Sequence, residues 1–131
     1  MEKVVVVTGG GRGIGAATSK LLASKGYAVC VNYLKRNKDA AEVVSAIRAD
    51  GGKAFAFPAD VSNEKDVKSL FDAVEQKYGP VTHLVNNAGI LATQSRLEDL
   101  SVERFNHILI NNVTSCFLCC KEAIKRMKQG G

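Results

Sequence analysis

Four short apolar runs alternate with four amphipathic stretches along this 131-residue chain, and that alternation restricts its fold more than any other feature. The runs are "KVVVVT" (3–8), "YAVCVNY" (27–33), "KAFAFPAD" (53–60) and "THLVNNAG" (82–89). Each is short and closed by a glycine, proline or polar turn signal, which reads as a strand. The stretches 13–26, 39–52, 62–79 and 101–131 read as helices. In the third, Val67, Leu70, Phe71 and Val74 recur at i, i+3, i+4 and i+7, on one helical face. Gly26 ends the first helix, Ser62 and Ser101 are expected to cap the third and fourth, and Gly130-Gly131 closes the last. The order is βαβαβαβα, which implies a parallel sheet covered by helices on both faces. Right-handed crossovers then give strand order 3-2-1-4, with the first two helices on one face and the third on the other. The expected fold class is α/β, a three-layer, doubly wound parallel sheet. Its switch point falls between strands 1 and 4, at their carboxyl ends, where open sheets of this kind bind ligands.

The glycine loop "TGGGRGIGAA" follows strand 1 and opens onto that crevice. A helix N-terminus presents unpaired N–H groups and about half a positive charge. Glycines let the backbone turn sharply and let a pyrophosphate come close. No GK[ST] follows, so this is not a P-loop. Strand, glycine loop and helix together read as a phosphate cradle rather than a glycine-rich turn needed only for packing.

Other functional classes fare worse. The net charge is +5, but the basic residues are scattered apart from "LKRNK" and "KEAIKRMKQ", and no aromatic residues interleave with them. Nucleic acid is therefore not an expected partner. No apolar stretch approaches the length of a membrane span, and the start "MEKVVVV" has no signal-peptide character. Cys30 lies in a strand, and Cys116, Cys119 and Cys120 lie in one apolar helical pattern. They read as buried reduced thiols without a metal site, consistent with a cytoplasmic setting.

Four motifs, "TGGGRGIG", "ADV", "LVNNAGI" and "NNVTSCF", stand in an order and spacing that resembles the short-chain dehydrogenase/reductases. The 3-oxoacyl-[acyl carrier protein] reductase and sugar-dehydrogenase-like branch is the most similar, and the resemblance runs the whole length of the chain. It implies hydride transfer between a nicotinamide cofactor and a small-molecule carbonyl or alcohol. It implies that Gly9, Gly11, Gly13, Ile14 and Gly15 take the cofactor pyrophosphate. It places Asp60, with Val61 beside it, at the adenine, and Asn87, Ala88 and Gly89 under the adenosine ribose, with Asn86 more structural. Asn112 matches the helix asparagine that helps hold a proton-relay water.

The end of strand 2 chooses the cofactor in this family. An acid there takes both ribose hydroxyls and repels a 2′-phosphate. Here the equivalent position is Tyr33, and no acid occurs from Ala28 to Lys38. Lys35 and Arg36 come after it, and Arg12 sits in the glycine loop. NADP is therefore the expected cofactor, unless Lys35 and Arg36 are merely solvated loop charges.

The resemblance also implies a serine and a YxxxK pair. Four residues beyond Tyr27, Tyr33 and Tyr78 stand Val31, Asn37 and Thr82, so the chain holds no YxxxK. His83 and His107 have no obvious partners and read as structural. Residues 1–131 are thus expected to be a single Rossmann-type domain ending before the family's strand 5, inactive alone. A homodimer or homotetramer is expected for the full-length protein. The alternatives are a non-catalytic NADP-binding module and a flavodoxin-like domain, and the paired "TGGGRGIG" and "NNAG" motifs argue against the latter.

Overall fold

The computed structural model describes residues 2–91, 93–127 and 130–131. Strand β1 (Val4–Val7) is four consecutive valines, all buried, as a strand covered on both faces must be. Strand β2 is Ala28–Tyr33, β3 is Lys53–Pro58 and β4 is His83–Val85. All three strand pairings are parallel, and the sheet order is β3-β2-β1-β4, as the alternation requires.

Helices α1 (Gly13–Ser24) and α2 (Asn37–Ala49) lie on one face. There Ala40, Val43, Val44 and Ile47 of α2 pack on Val5, Val7, Val29 and Val31. Helix α3 (Glu64–Tyr78) covers the other face, with Val67, Leu70, Phe71 and Val74 set against Val4, Val6, Ala28 and Cys30. The two cores use alternate residues of the same strands, the period-2 rule at work. Gly26, at φ +88°, turns the chain out of α1, whose last helical residue is Ser24.

Three expectations from the sequence are corrected by the fold. Asn63, rather than Ser62, caps α3: its side chain accepts from the Asp66 N–H at 3.0 Å. Ser62 is engaged one turn earlier, donating from its N–H and hydroxyl to Asp60 Oδ1. The expected helix 101–131 is also not one α-helix. After a 3₁₀ turn at Leu97–Asp99, Ser101 caps α4 (Val102–Leu109), a π-helical turn spans Ile110–Thr114, and α5 runs over Ser115–Arg126. The expected closure at Gly130-Gly131 lies past the last helical residue described, and Lys128 and Gln129 lie outside the described residues. Lastly, of the four free thiols only Cys30 and Cys119 are buried; Cys120 is exposed and Cys116 half-buried. The outward side of α5 belongs to an apolar stripe that reaches solvent, so an apolar pattern there does not bury every thiol.

Among the described residues no helix is long and apolar enough to cross a membrane. Nor does any group of three or more His, Cys, Asp or Glu side chains there form a metal site.

Candidate functional site

The carboxyl ends of β1 and β4 part above the sheet, and one threonine stitches the two turns that leave them. Thr8 Oγ1 accepts from the N–H groups of Asn87 and Ala88, both at 3.0 Å. Asn87 returns the contact, its Nδ2 donating to the carbonyls of Thr8 (3.1 Å) and Gly9 (3.0 Å). The NNAG turn and the glycine turn are therefore one hydrogen-bonded unit.

Gly15 shows why that unit demands glycine. A Cβ there would overlap the Gly9 carbonyl oxygen and stand 2.5 Å from Asn87 Nδ2. Gly9 itself sits at φ +59°, a region that favours glycine. Gly11 has a different role from the one expected of a phosphate contact alone. It lets α2 approach, since a Cβ there would lie 3.1 Å from the Ala40 nitrogen.

Helix α1 begins above this floor with unclaimed donors. Its N-cap residue Arg12 makes no side-chain cap, and no acid lies in its first turn. The first helical bond there runs from the Ala16 N–H to the Arg12 carbonyl. The N–H groups of Gly13, Ile14 and Gly15 precede that bond and face no helical acceptor, the arrangement that binds an anion.

A cleft of about 610 Å3 opens here. It gathers Gly9, Gly11, Arg12 and Gly13 from the glycine turn, Tyr33 and Arg36 from the end of β2 and beyond, and Asp60 and Val61 from beyond β3. Asn87, Ala88 and Gly89 close it on the β4 side. Gly15 is not part of the lining; it is buried beneath Gly9. Ile14 is also outside the lining, 79% exposed on the first turn of α1.

The cleft is electropositive. Among the described residues Arg12, Lys35 and Arg36 line it against a single carboxylate, Asp60. Arg36 lies 3.7 Å from Asp39 with 63% of its side chain exposed, a weak pairing. Arg12 and Lys35 have no ion pair among the described residues. Asp60 is partly committed: its Oδ1 accepts from Ser62 Oγ at 2.6 Å, while its own N–H donates to Asp66 Oδ2 at 2.8 Å.

Asn112 lies in the π turn, and its neighbour Asn111, rather than Asn112, lines the cleft. Both ends of the Asn112 amide hold one residue's backbone, Oδ1 accepting from the Ile90 N–H (2.7 Å) and Nδ2 donating to the Ile90 carbonyl (3.0 Å). Its side chain thus anchors the segment leaving the NNAG turn. Asn32, Leu34, Ala59, Ile90 and Asn111 also line the cleft and were not singled out from the sequence. Asn32 had a signal, as a polar side chain inside an otherwise apolar strand.

The remaining titratable candidates are elsewhere. His83 Nδ1 pairs with Thr82 Oγ1 at 2.8 Å, and its ring meets Tyr27 edge-on. His107 Nδ1 lies 3.3 Å from Asn111 Nδ2 on the exposed side of α4. Tyr78 stacks edge-on against Phe55, and burial pushes its phenol up, away from proton transfer near neutrality. Burial likewise pushes up the Cys30 thiol and takes Cys119 to about 12, so neither is a nucleophile.

Known proteins resemble this chain in sequence and fold. The family model described as short chain dehydrogenase matches residues 3–131. An uncharacterized oxidoreductase of Escherichia coli strain K12, YgfF, is 52% identical over 98% of this chain and 53% of its own length. The NADPH-dependent aldehyde reductase-like protein, chloroplastic, of Arabidopsis thaliana is 41% identical over 98% of this chain and 52% of its own. The crystal structure of a short chain dehydrogenase from Burkholderia cenocepacia in complex with NADP superposes with a TM-score of 0.89. It is 38% identical and is matched over 95% of this chain and 50% of its own. The chain spans about half the length of the curated relatives it matches.

Proposed function

We propose, from the premise that this chain belongs to the short-chain dehydrogenase family, that its cleft holds NADP for hydride transfer to or from a small-molecule carbonyl or alcohol. One observation carries the choice of NADP. The segment Tyr33-Leu34-Lys35-Arg36, at the end of β2 and beyond, brings two cations and no acid to a cleft that already holds Arg12. A carboxylate at that place would repel a 2′-phosphate, and these cations attract one. The cleft also fits the rest of the cofactor. The unclaimed N–H groups of Gly13, Ile14 and Gly15 suit its pyrophosphate, and the Gly9–Asn87 floor has the closeness that a Cβ would abolish. Asp60 and Val61 form the wall proposed for the adenine, and Asn87, Ala88 and Gly89 the floor for its ribose.

When bound, the cofactor would supply the hydride to a carbonyl or accept it from an alcohol. This chain's residues bind and orient it, and Asn112 sets the segment at Ile90 beside it. Residues 1–131 contain no YxxxK, so the proton step is not assigned to any tyrosine among them. We also propose a cytoplasmic setting, supported by four unpaired cysteines. A homodimer or homotetramer is supported by the exposed apolar residues Phe105 and Leu109 of α4, Val113 of the π turn and Phe117 of α5.

The cofactor assignment is tested by titrating the full-length protein with NADPH and NADH. NADPH is expected to bind about tenfold more tightly or better, and Lys35→Ala is expected to remove about tenfold from NADPH alone. Equal affinity for the two, or tighter NADH, refutes it.

A further inference from the structure

Asn32 stands at the crossing of three chain segments. It is the penultimate residue of β2, a strand otherwise apolar up to that point, and is 2% exposed. Its Oδ1 accepts from the Gly9 N–H at 3.3 Å. Its Nδ2 donates toward the carbonyls of Ala59 (3.2 Å), Phe57 (3.3 Å) and Tyr33 (3.4 Å). The main chain repeats the pattern. The Gly10 N–H donates to the Asn32 carbonyl at 2.9 Å, and the Ala59 N–H donates to the Tyr33 carbonyl at 2.9 Å.

The chemistry of these contacts admits few side chains. One end must accept from an N–H and the other must donate toward carbonyls, which only a primary amide does with two fixed hydrogens. An aspartate would set a second oxygen against three carbonyl oxygens. An apolar residue would leave Gly9 and the β3 end unpaired in a buried place.

Two of its four side-chain partners, Gly9 and Ala59, belong to different stretches of the cleft lining. Gly9 is part of the glycine turn, and Ala59 immediately precedes Asp60 and Val61. We propose that Asn32 is a positioning residue that fixes the separation between the glycine turn and the Ala59–Val61 wall, and so preforms the slot for the adenosine end of the cofactor. This rests on the dinucleotide reading of the cleft. Asn32 acts through Gly9 and Ala59, and its effect belongs to the adenosine half of the ligand.

The test uses full-length protein and adenosine 2′,5′-bisphosphate as probe, at a temperature where Asn32→Ala and the parent give the same far-UV circular dichroism. Asn32→Ala is expected to bind the probe about tenfold more weakly or worse, and to raise KM for NADPH in proportion while kcat holds. A residue that only supports the fold lowers Tm and leaves both numbers in place, so unchanged probe affinity overturns the proposal. If Asn32→Ala does not fold, the parent protein decides by NMR. The Asn32 side-chain amide and the Gly9 N–H are expected to be protected from exchange and to shift together on adding the probe. Their failure to shift while the probe binds overturns the proposal and leaves the dinucleotide reading standing. A parent protein that binds none of the probe, NADPH and NADH overturns both.

Discussion

The glycine turn shows how little room the site leaves at the scale of one residue. Gly15 takes a helical conformation, so its requirement is space, set by the Gly9 carbonyl and Asn87 Nδ2 against it. Gly15→Ala must push the NNAG turn off the glycine turn, an overpacking that costs about 1–3 kcal/mol. The expected outcome is a lower Tm together with weaker NADPH binding, since the displaced groups are the cleft floor. A Gly15→Ala protein with parental Tm and affinity would show that the floor is not rigid. The glycines were legible in the sequence as a group, because a strand, a glycine loop and a helix in that order have one physical use. Their division of labour was not. Gly11 backs onto Ala40 of α2, a contact 29 residues away in sequence that no local pattern discloses. Asn32 likewise needed the structure, since its partners Gly9 and Ala59 lie 23 and 27 positions away.

Among the elements, α3 and α5 meet through charge as well as packing. Arg126 donates to Asp72 at 2.8 Å, to Glu75 at 2.6 Å and to Glu122 at 3.2 Å, above the ring of Phe71. Hydrogen bonds from Lys68 and Arg126 hold the Asp72 carboxyl below its ordinary value. Burial works against Glu122, yet hydrogen bonds from Lys125 and Arg126 hold it down as well. Both carboxyls are depressed, so their contribution is fully present above about pH 5 and is lost as the pH falls through their lowered values. Arg126→Ala is expected to cost roughly 1 kcal/mol at pH 7 and low salt, because Asp72 and Glu75 are open to solvent. The gap in Tm between the parent and Arg126→Ala should narrow from pH 7 to pH 3; a gap that widens contradicts the sign. The same region shows where element reading failed. The apolar period runs on through 101–126, so the sequence announces one helix, and the extra residue of the π turn at Ile110–Thr114 leaves that period legible. Within the turn Asn112 holds the backbone of Ile90, 22 residues away in sequence and beyond any local pattern.

For the whole molecule, the alternation of elements specified sheet order because handedness and connection rules leave few arrangements of four parallel strands. The order β3-β2-β1-β4 makes the β1–β4 seam the place where the chain reverses direction across the sheet, and the seam is closed by a threonine at each end. At the amino end Thr82 Oγ1 accepts from the Val4 N–H at 2.8 Å and lies 3.1 Å from the Val4 carbonyl. At the carboxyl end Thr8 Oγ1 takes the N–H groups of Asn87 and Ala88. Both residues are buried and both join the same two strands, but only Thr8 adjoins the cleft. Replacement by valine keeps shape and removes the hydroxyl, which takes an acceptor from the Val4 N–H in one case and from the Asn87 and Ala88 N–H groups in the other, at about 1–3 kcal/mol for a donor left without a partner. Thr82→Val and Thr8→Val are therefore expected to lower Tm by similar amounts. Their ligand affinities should part. Thr82→Val is expected to bind NADPH as the parent does, whereas Thr8→Val frees the NNAG turn and weakens binding several-fold. Titration of both proteins with NADPH, well below their Tm values, decides it: equal losses at both ends would mean that the seam acts as one rigid body and that stability and binding are not separable along it.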